Sequence, residues 1–321
     1  MDKPGHTTAI HEEAGTVTLA DDLAKERAAL TMIHGEPFNA EAPPEALHGD
    51  ITPTELHTSA ATSRSMGRLR RLHRALDRCP PAPGARAGTA TAQGVEGRFT
   101  GADHGSYLLH PVLQNIDASD LTFERSLALA HATDPDAEIL IAYEMNGEPL
   151  NPDHGAPFRL IVPHWYGVAS VKWLKHIDVL TEPFVGEFKT GHYMYEWADR
   201  PHQPVTLMRV RARITDPARG ATIPAGTYTV RGKAWSGTGP VTEVHVSFTG
   251  EGGWHEAQLE PPKGPYQWQD WSFPWEATDR GRHSLRARTT DAAGNVQPEI
   301  PIWNRLGYGN NAIEVSYVDV R

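Results

Sequence analysis

The sequence predicts a mixed α+β domain followed by an immunoglobulin-like β-sandwich, and three observations carry that expectation. From Pro201 onward, short runs alternate between apolar and polar residues and are separated by Gly, Pro, Asp and Asn turns. Between Gly101 and about Tyr195 the pattern is mixed, with helical and extended periods in one stretch. Twenty-nine glycines and 26 prolines in 321 residues favour turns and strands over long helices.

The elements follow in chain order. Residues 1–35 are polar and read as an arm, with one helix candidate at Asp21–Met32. HGEPFNAEAPPEAL and ITPTEL, between His34 and residue 57, are Pro-rich and extended, so 1–57 reads as an arm that opens the first domain. Residues 58–98 are rich in Arg, Ala, Gly, Pro and Thr without a sustained apolar period, which predicts a disordered, aberrant segment. Within it MGRLRRLHRALDR has the make-up of a short basic helix with a solvated face.

The first domain is expected over 99–200. It holds a helix at Glu124–Thr133, strands at Ile139–Tyr143 and Phe158–Val162, and a Gly-Ser turn leading into VKWLKHIDVL. The second is expected over 201–321. Its runs TLMRVRARI, TYTVRGKAW, TEVHVSF, HEAQLE, YQWQDWSF, HSLRARTTD and AIEVSYV make about seven strands, the number an immunoglobulin-like sandwich needs.

Composition narrows the function classes. A formal charge of −10 argues against nucleic acid or an anionic membrane as partner, since both select basic patches. The N-terminal MDKPGHTTAIHEEAG has no basic region followed by an apolar run, and no segment reaches membrane-span length, so the expected location is cytoplasmic. One cysteine, Cys79, excludes an intramolecular disulfide framework.

Simple metal and nucleotide motifs fail. His11-Glu12 and His255-Glu256 begin like a zinc-protease signature, but Gly15 and Leu259 stand where the second histidine is required. The 17 histidines show no ligand spacing. Gly237–Gly239 lacks the third glycine of a dinucleotide loop. The tripeptide Asp153–Gly155 followed by Arg159 is more informative, because a guanidinium at a strand edge beside a Gly turn suits bidentate phosphate binding. Lys172 adds a second cation, although an Arg and a Lys flanking a loop are also common as solvated charges.

Residues Ala142–Leu174, AYEMNGEPLNPDHGAPFRLIVPHWYGVASVKWL, resemble the cofactor domain of the sulfite oxidase family. GKAWSG, VHVSF, YQWQDW and GNVQPEIPIWNRLGYGNNA extend the resemblance into the second half, and EPFNAEAPPEAL and ITPTEL extend it towards the start. The resemblance implies molybdopterin, the molybdenum cofactor, and oxygen-atom transfer to or from a small anionic substrate. It also implies a sandwich that mediates homodimerisation and, with no haem domain evident, a separate electron acceptor. It places His154, Arg159, Ser170, Val171 and Lys172 at positions that hold the pterin and its phosphate, and Asp103 near another pterin contact. Tyr193 falls where the family has a tyrosine beside the metal; without the family it reads as an aromatic core residue.

The chain departs from the pattern in two places. The family's Tyr-x-Arg-Asn/Ser-His run and its Cys-Ala-Gly-Asn-Arg run, source of the metal thiolate, do not occur, and the flanks of Cys79 in DRCPPAPGAR match neither. No metal ligand is therefore assigned, the cofactor domain is expected to be incomplete, and an inactive dimerising or binding module is the alternative to an enzyme. Written as degenerate codons and read from the third base of each, His57–Gly67 permits Tyr-x-Arg-Ser-His-Phe-Pro-Val. That reading predicts a one-base slip near His57, a further deletion or false splice, and a return to frame by about Gly101. Gln269 stands where some sulfite oxidases have an arginine facing substrate.

Overall fold

The computed structural model describes residues 13–18, 69–71, 94–105, 121–146, 148–249, 252–264 and 267–321. The candidate helix at Asp21–Met32 and Cys79 lie outside the described residues. These residues divide into two units, the first holding 94–162 and 169–192 with the two short N-terminal strands, the second holding 163–168 and Tyr193–Arg321.

In the first unit the strands are β1 (Glu13–Thr18), β2 (Leu69–Arg71), β3 (Glu96–Gly105), β4 (Leu121–Ala128), β5 (Leu140–Ala142), β6 (Glu144–Met145), β7 (Glu148–Pro149), β8 (Arg159–Ile161) and β9 (Leu174–Leu180). An antiparallel sheet runs in the order β1-β9-β3-β4, a second runs β2-β5-β8, and β6 and β7 form a hairpin. Alternation explains β3: Gly97, Phe99 and Gly101 point into the core while Glu96, Arg98 and Thr100 line the other face. There Arg98 pairs with Asp178 of β9 at 2.9 Å and Thr100 donates to Glu124 of β4 at 2.8 Å. Glu96 accepts from Ser126 at 2.7 Å, from the Phe184 amide at 2.9 Å and from Lys189 at 2.5 Å. Burial pushes its carboxyl up, and these donors together hold it below the usual carboxylate range.

Two expectations need correction in this unit. The helix read at Glu124–Thr133 is confined to α1 (Leu129–Thr133). Residues 124–128 belong to β4, because each pairs with a partner on β3, from Thr100↔Glu124 to Glu96↔Ala128. That ladder outweighs the helix-forming Glu, Arg, Leu and Ala of the segment. The disorder expected over 58–98 fails at Leu69–Arg71, which pairs with β5, and at 94–98, where β3 begins; the rest of that segment lies outside the described residues. Among the described residues the fold is mostly β, with α1 and a few short 3-10 and π turns rather than an even α+β mixture.

In the second unit the strands are β10 (Met194–Tyr195), β11 (Gln203–Pro204), β12 (Arg211–Asp216), β13 (Thr222–Ile223), β14 (Gly226–Trp235), β15 (Val241–Ser247), β16 (His255–Glu256), β17 (Gln258–Leu259), β18 (Gln269–Ala277), β19 (Gly281–Asp291) and β20 (Val315–Val320). Each of the seven alternating runs expected after Pro201 contains strand residues, but HEAQLE is split into β16 and β17, which join different sheets, and β13 falls in none of the runs. The strands form two sheets, β12-β14-β18-β17 and β13-β20-β19-β15-β16. Their inner faces share one core, in which Val230, Ala234, Trp271 and Trp275 of the first sheet meet Val244, Leu285, Ala287 and Val318 of the second. Trp271 is 1% exposed and lies over Gly232, where a Cβ would come within 2.1 Å of the indole and 2.2 Å of the Arg213 carbonyl oxygen. Only glycine fits beneath that ring. The boundary between units falls at Tyr193 rather than at the expected residue 201.

Candidate functional site

The site grows from the loop at 151–155 in the first unit. Asn151 caps a short 3-10 turn, Pro152–His154, by accepting from the His154 amide at 2.8 Å, and Pro152 supplies a fixed φ at its first position. The same Asn151 oxygen holds His154 Nδ1 at 2.7 Å. Gly155 ends the turn with φ +93, and a Cβ there would lie 2.8 Å from the Lys172 Cβ. Both its backbone conformation and the close approach of Lys172 require glycine.

Two extended segments zip together beneath the loop. The Leu160 amide donates to the Val171 carbonyl at 2.8 Å and the Leu174 amide to the Phe158 carbonyl at 2.8 Å. Ser170 is buried and its hydroxyl oxygen accepts from the Val162 amide at 3.1 Å, which fixes the turn before Lys172. Arg159 opens β8 and donates to the His154 carbonyl at 3.2 Å and, at 3.5 Å, towards the Ser170 carbonyl, while its Nε is buried without a partner. Lys172 donates to the Asp153 carbonyl at 3.2 Å and sits 4.3 Å from the centre of the Trp173 ring. Trp173 in turn donates from its indole to the Pro152 carbonyl at 2.9 Å. Its carbonyl accepts from the Ala102 amide at 2.8 Å, which brings the β3 segment with Asp103 alongside.

The electrostatics are those of an anion cradle. Burial lowers the Arg159 pKa to about 10, which leaves it charged at neutral pH. Burial, then the neighbouring Arg159, lowers the Lys172 pKa, opposed by Asp103 and Asp153. Burial, then Arg159, also lowers His154 and favours the neutral imidazole. Asp103 is pushed up by burial, and its Oδ1 has no hydrogen-bond partner. Among the described residues, neither Arg159 nor Lys172 has a carboxylate within ion-pair distance. Two neighbouring cations beside a Gly turn are the chemistry that suits a phosphate.

The structure thus gathers His154, Arg159, Ser170, Lys172 and Asp103 into one locality. Val171 contributes its carbonyl to the zipper, while its side chain is 1% exposed and packs in the core. Tyr193 belongs to the second unit, where it adopts φ +57, lies 5.2 Å from the Tyr308 ring and accepts from the Val205 amide through its carbonyl at 2.7 Å. Sequence reading passed over Asn151 and Trp173. An Asn-Pro pair opening a tight turn was the available signal for the first; Trp173, with φ +49, offered none. No group of three His, Cys, Asp or Glu able to hold a metal occurs among the described residues. No helix of the described residues is long and apolar enough to cross a membrane.

Residues 85–188 match the model of the oxidoreductase molybdopterin binding domain, and residues 202–317 match that of the Mo-co oxidoreductase dimerisation domain. The first match begins inside the stretch expected to be aberrant. Human mitochondrial sulfite oxidase is 35% identical over 213 residues, covering 61% of this chain and 39% of that protein. Nitrate reductase [NADH] 2 of Phaseolus vulgaris is 30% identical over 382 residues, covering 91% of this chain and 42% of that protein. That alignment is longer than the 321-residue chain, so stretches of the plant enzyme face gaps in it. The chain spans about two fifths of the length of the curated relatives it matches. Among solved structures, the sulfane dehydrogenase SoxCD of Paracoccus pantotrophus is similar with a TM-score of 0.59 and 26% identity, over 71% of this chain and 55% of that one.

Proposed function

Starting from the fact that the chain belongs to the sulfite oxidase family of molybdopterin oxidoreductases, we propose that it transfers an oxygen atom to or from a small anionic substrate and passes electrons to a separate acceptor. Its cofactor is the molybdenum cofactor. When bound, that group supplies the two-electron chemistry.

The chain's own residues hold and orient it. Arg159 and Lys172 take the phosphate as paired cations, and the Asn151–His154 contact keeps the imidazole oriented beside them. Asp103, with an acceptor oxygen left over, receives a pterin N–H. Ser170 and Val171 fix the backbone on which Lys172 stands. Tyr193 orients substrate or carries a proton through its hydroxyl. The second domain, read as an immunoglobulin-like sandwich, mediates homodimerisation, and the proposed compartment is the cytoplasm, which cell fractionation tests.

The observation that carries this reading is the convergence of Arg159 and Lys172 at a Gly turn, with no carboxylate among the described residues within ion-pair distance of either. The test is metal and pterin content of the purified chain. Stoichiometric molybdenum with pterin fluorescence is expected, and Arg159→Ala is expected to lose most of both, because one charge-assisted hydrogen-bond pair contributes about 1.5–3 kcal/mol. Full retention of pterin by that variant refutes the assignment.

A second reading is an inactive family member that acts only as a folded dimerising or binding module. One sequence fact favours it: Cys79 has none of the flanking residues of the family's thiolate run. A metal-free, well-folded dimer in sedimentation supports this reading over the enzyme.

A further inference from the structure

An uncharged residue of the first unit touches the turn, the lysine and the neighbouring strand of the cradle. Trp173 follows Lys172 and adopts φ +49, a left-handed conformation that is costly for a non-glycine residue and concentrates at functional sites. Its amide donates to the Gly155 carbonyl at 3.3 Å and its indole Nε1–H to the Pro152 carbonyl at 2.9 Å, so it grips the 152–155 turn at both ends. Its own carbonyl accepts from the Ala102 amide at 2.8 Å, one residue before Asp103. Its ring centre lies 4.3 Å from the Lys172 ammonium.

Both cations of the cradle are held by neutral partners, which leaves their charge for a ligand. Arg159 donates to the His154 and Ser170 carbonyls at 3.2 and 3.5 Å, and Lys172 donates to the Asp153 carbonyl at 3.2 Å. The His154 and Asp153 carbonyls stand on the turn that Trp173 grips. A lysine ammonium on a flexible stem takes one position only where contacts select it. The face of an indole attracts an ammonium without neutralising it, whereas a carboxylate in the same place would compete with an incoming anion. Another apolar side chain can cover the same surface, but an indole combines that face with an N–H donor at the ring edge.

We propose that Trp173 is the positioning residue of the cradle: its ring places the Lys172 ammonium, and its indole N–H fixes the turn whose carbonyls anchor Lys172 and Arg159, so that both cations meet one phosphate. Trp173 does not itself touch the anion and acts through these two residues. The inference deepens the cofactor reading and rests on it.

The experiment titrates inorganic phosphate into the full-length chain, produced in a host that makes no pterin cofactor and carrying isotope-labelled tryptophan. Calorimetry and the Trp173 indole N–H resonance report binding. Wild type is expected to bind saturably, with a shift of that resonance. Trp173→Phe keeps a ring beside Lys172 and loses the donor; it is expected to bind phosphate about two- to tenfold more weakly, the worth of one neutral hydrogen bond. Trp173→Leu loses the ring as well and is expected to bind more weakly still. The thermal midpoint without phosphate is followed in parallel, because a merely structural residue lowers the midpoint and leaves the affinity of the folded chain unchanged. The inference is overturned if folded Trp173→Phe binds phosphate like wild type, or if Trp173→Leu binds as well as Trp173→Phe, while Arg159→Ala still loses phosphate; the cofactor reading then stands without it. Absence of saturable binding to wild type, or binding that Arg159→Ala leaves untouched, removes the cradle and the inference together.

Discussion

Asp291→Asn isolates one buried carboxylate, and its effect can be worked out from the contacts. Asp291 ends β19 and is 2% exposed. Its Oδ1 accepts from the amides of Ala293 and Asn295 at 3.0 and 2.9 Å. Its Oδ2 accepts from Ser236 at 2.7 Å and Thr238 at 2.5 Å, and the Asn295 side chain reaches both oxygens. Burial pushes the carboxyl up, but the donors from Thr238, Asn295 and Ser236 outweigh it and bring the pKa to about 2. Against an ordinary Asp near 3.9, the difference of about two units corresponds to about 2–3 kcal/mol of stability at neutral pH. The sign follows from a depressed native pKa: the contribution is present above about pH 4 and is lost as pH falls through about 2. Asparagine keeps the shape but turns an NH₂ towards groups that donate. Urea unfolding followed by fluorescence should therefore show the variant about 2–3 kcal/mol less stable at pH 7, with a similar gap at pH 5 and roughly half of it at pH 3. A gap below about 0.5 kcal/mol at pH 7, or one as large at pH 3 as at pH 7, refutes the account.

Two further outcomes are expected. Gly232→Ala drives a methyl into the Trp271 ring and the Arg213 carbonyl, so overpacking should cost about 1–3 kcal/mol and lower the thermal midpoint of the sandwich; an unchanged midpoint counts against that packing. Independent reads of the gene across the codons for 57–101 are expected to reveal the one-base slip, and an unbroken frame encoding these same residues excludes a sequencing error.

The second domain was legible in the sequence because its strands are half-buried and the period-two alternation of TYTVRGKAW or HSLRARTTD records which side faces the core. The clustering of His154, Arg159 and Lys172, the proposed anion cradle, was legible for another reason: the three lie within one short stretch whose Gly turn and flanking strands fold back on themselves. What escaped has long-range causes. Glu124–Ala128 carries helix-forming residues and became a strand because β3 offered a ladder. The Glu96–Lys189 pair spans 93 positions and leaves no local pattern to read. Asp291 looks like an ordinary turn aspartate until Ser236 and Thr238, more than 50 residues earlier, close over it.

If Arg159 and Lys172 hold the cofactor phosphate as proposed, their proximity has a consequence for how the protein matures. Arg159 makes Lys172 costlier to keep charged, and an anion bound as proposed would relieve that repulsion. A ligand present at a hundred times its dissociation constant adds about 2.7 kcal/mol to the stability of the form that binds it. On that proposal, loading acts as a late folding step. Phosphate or sulfate ions should partly stand in for the cofactor as stabilisers, and a chain that never loads is the one that opens more often to proteases.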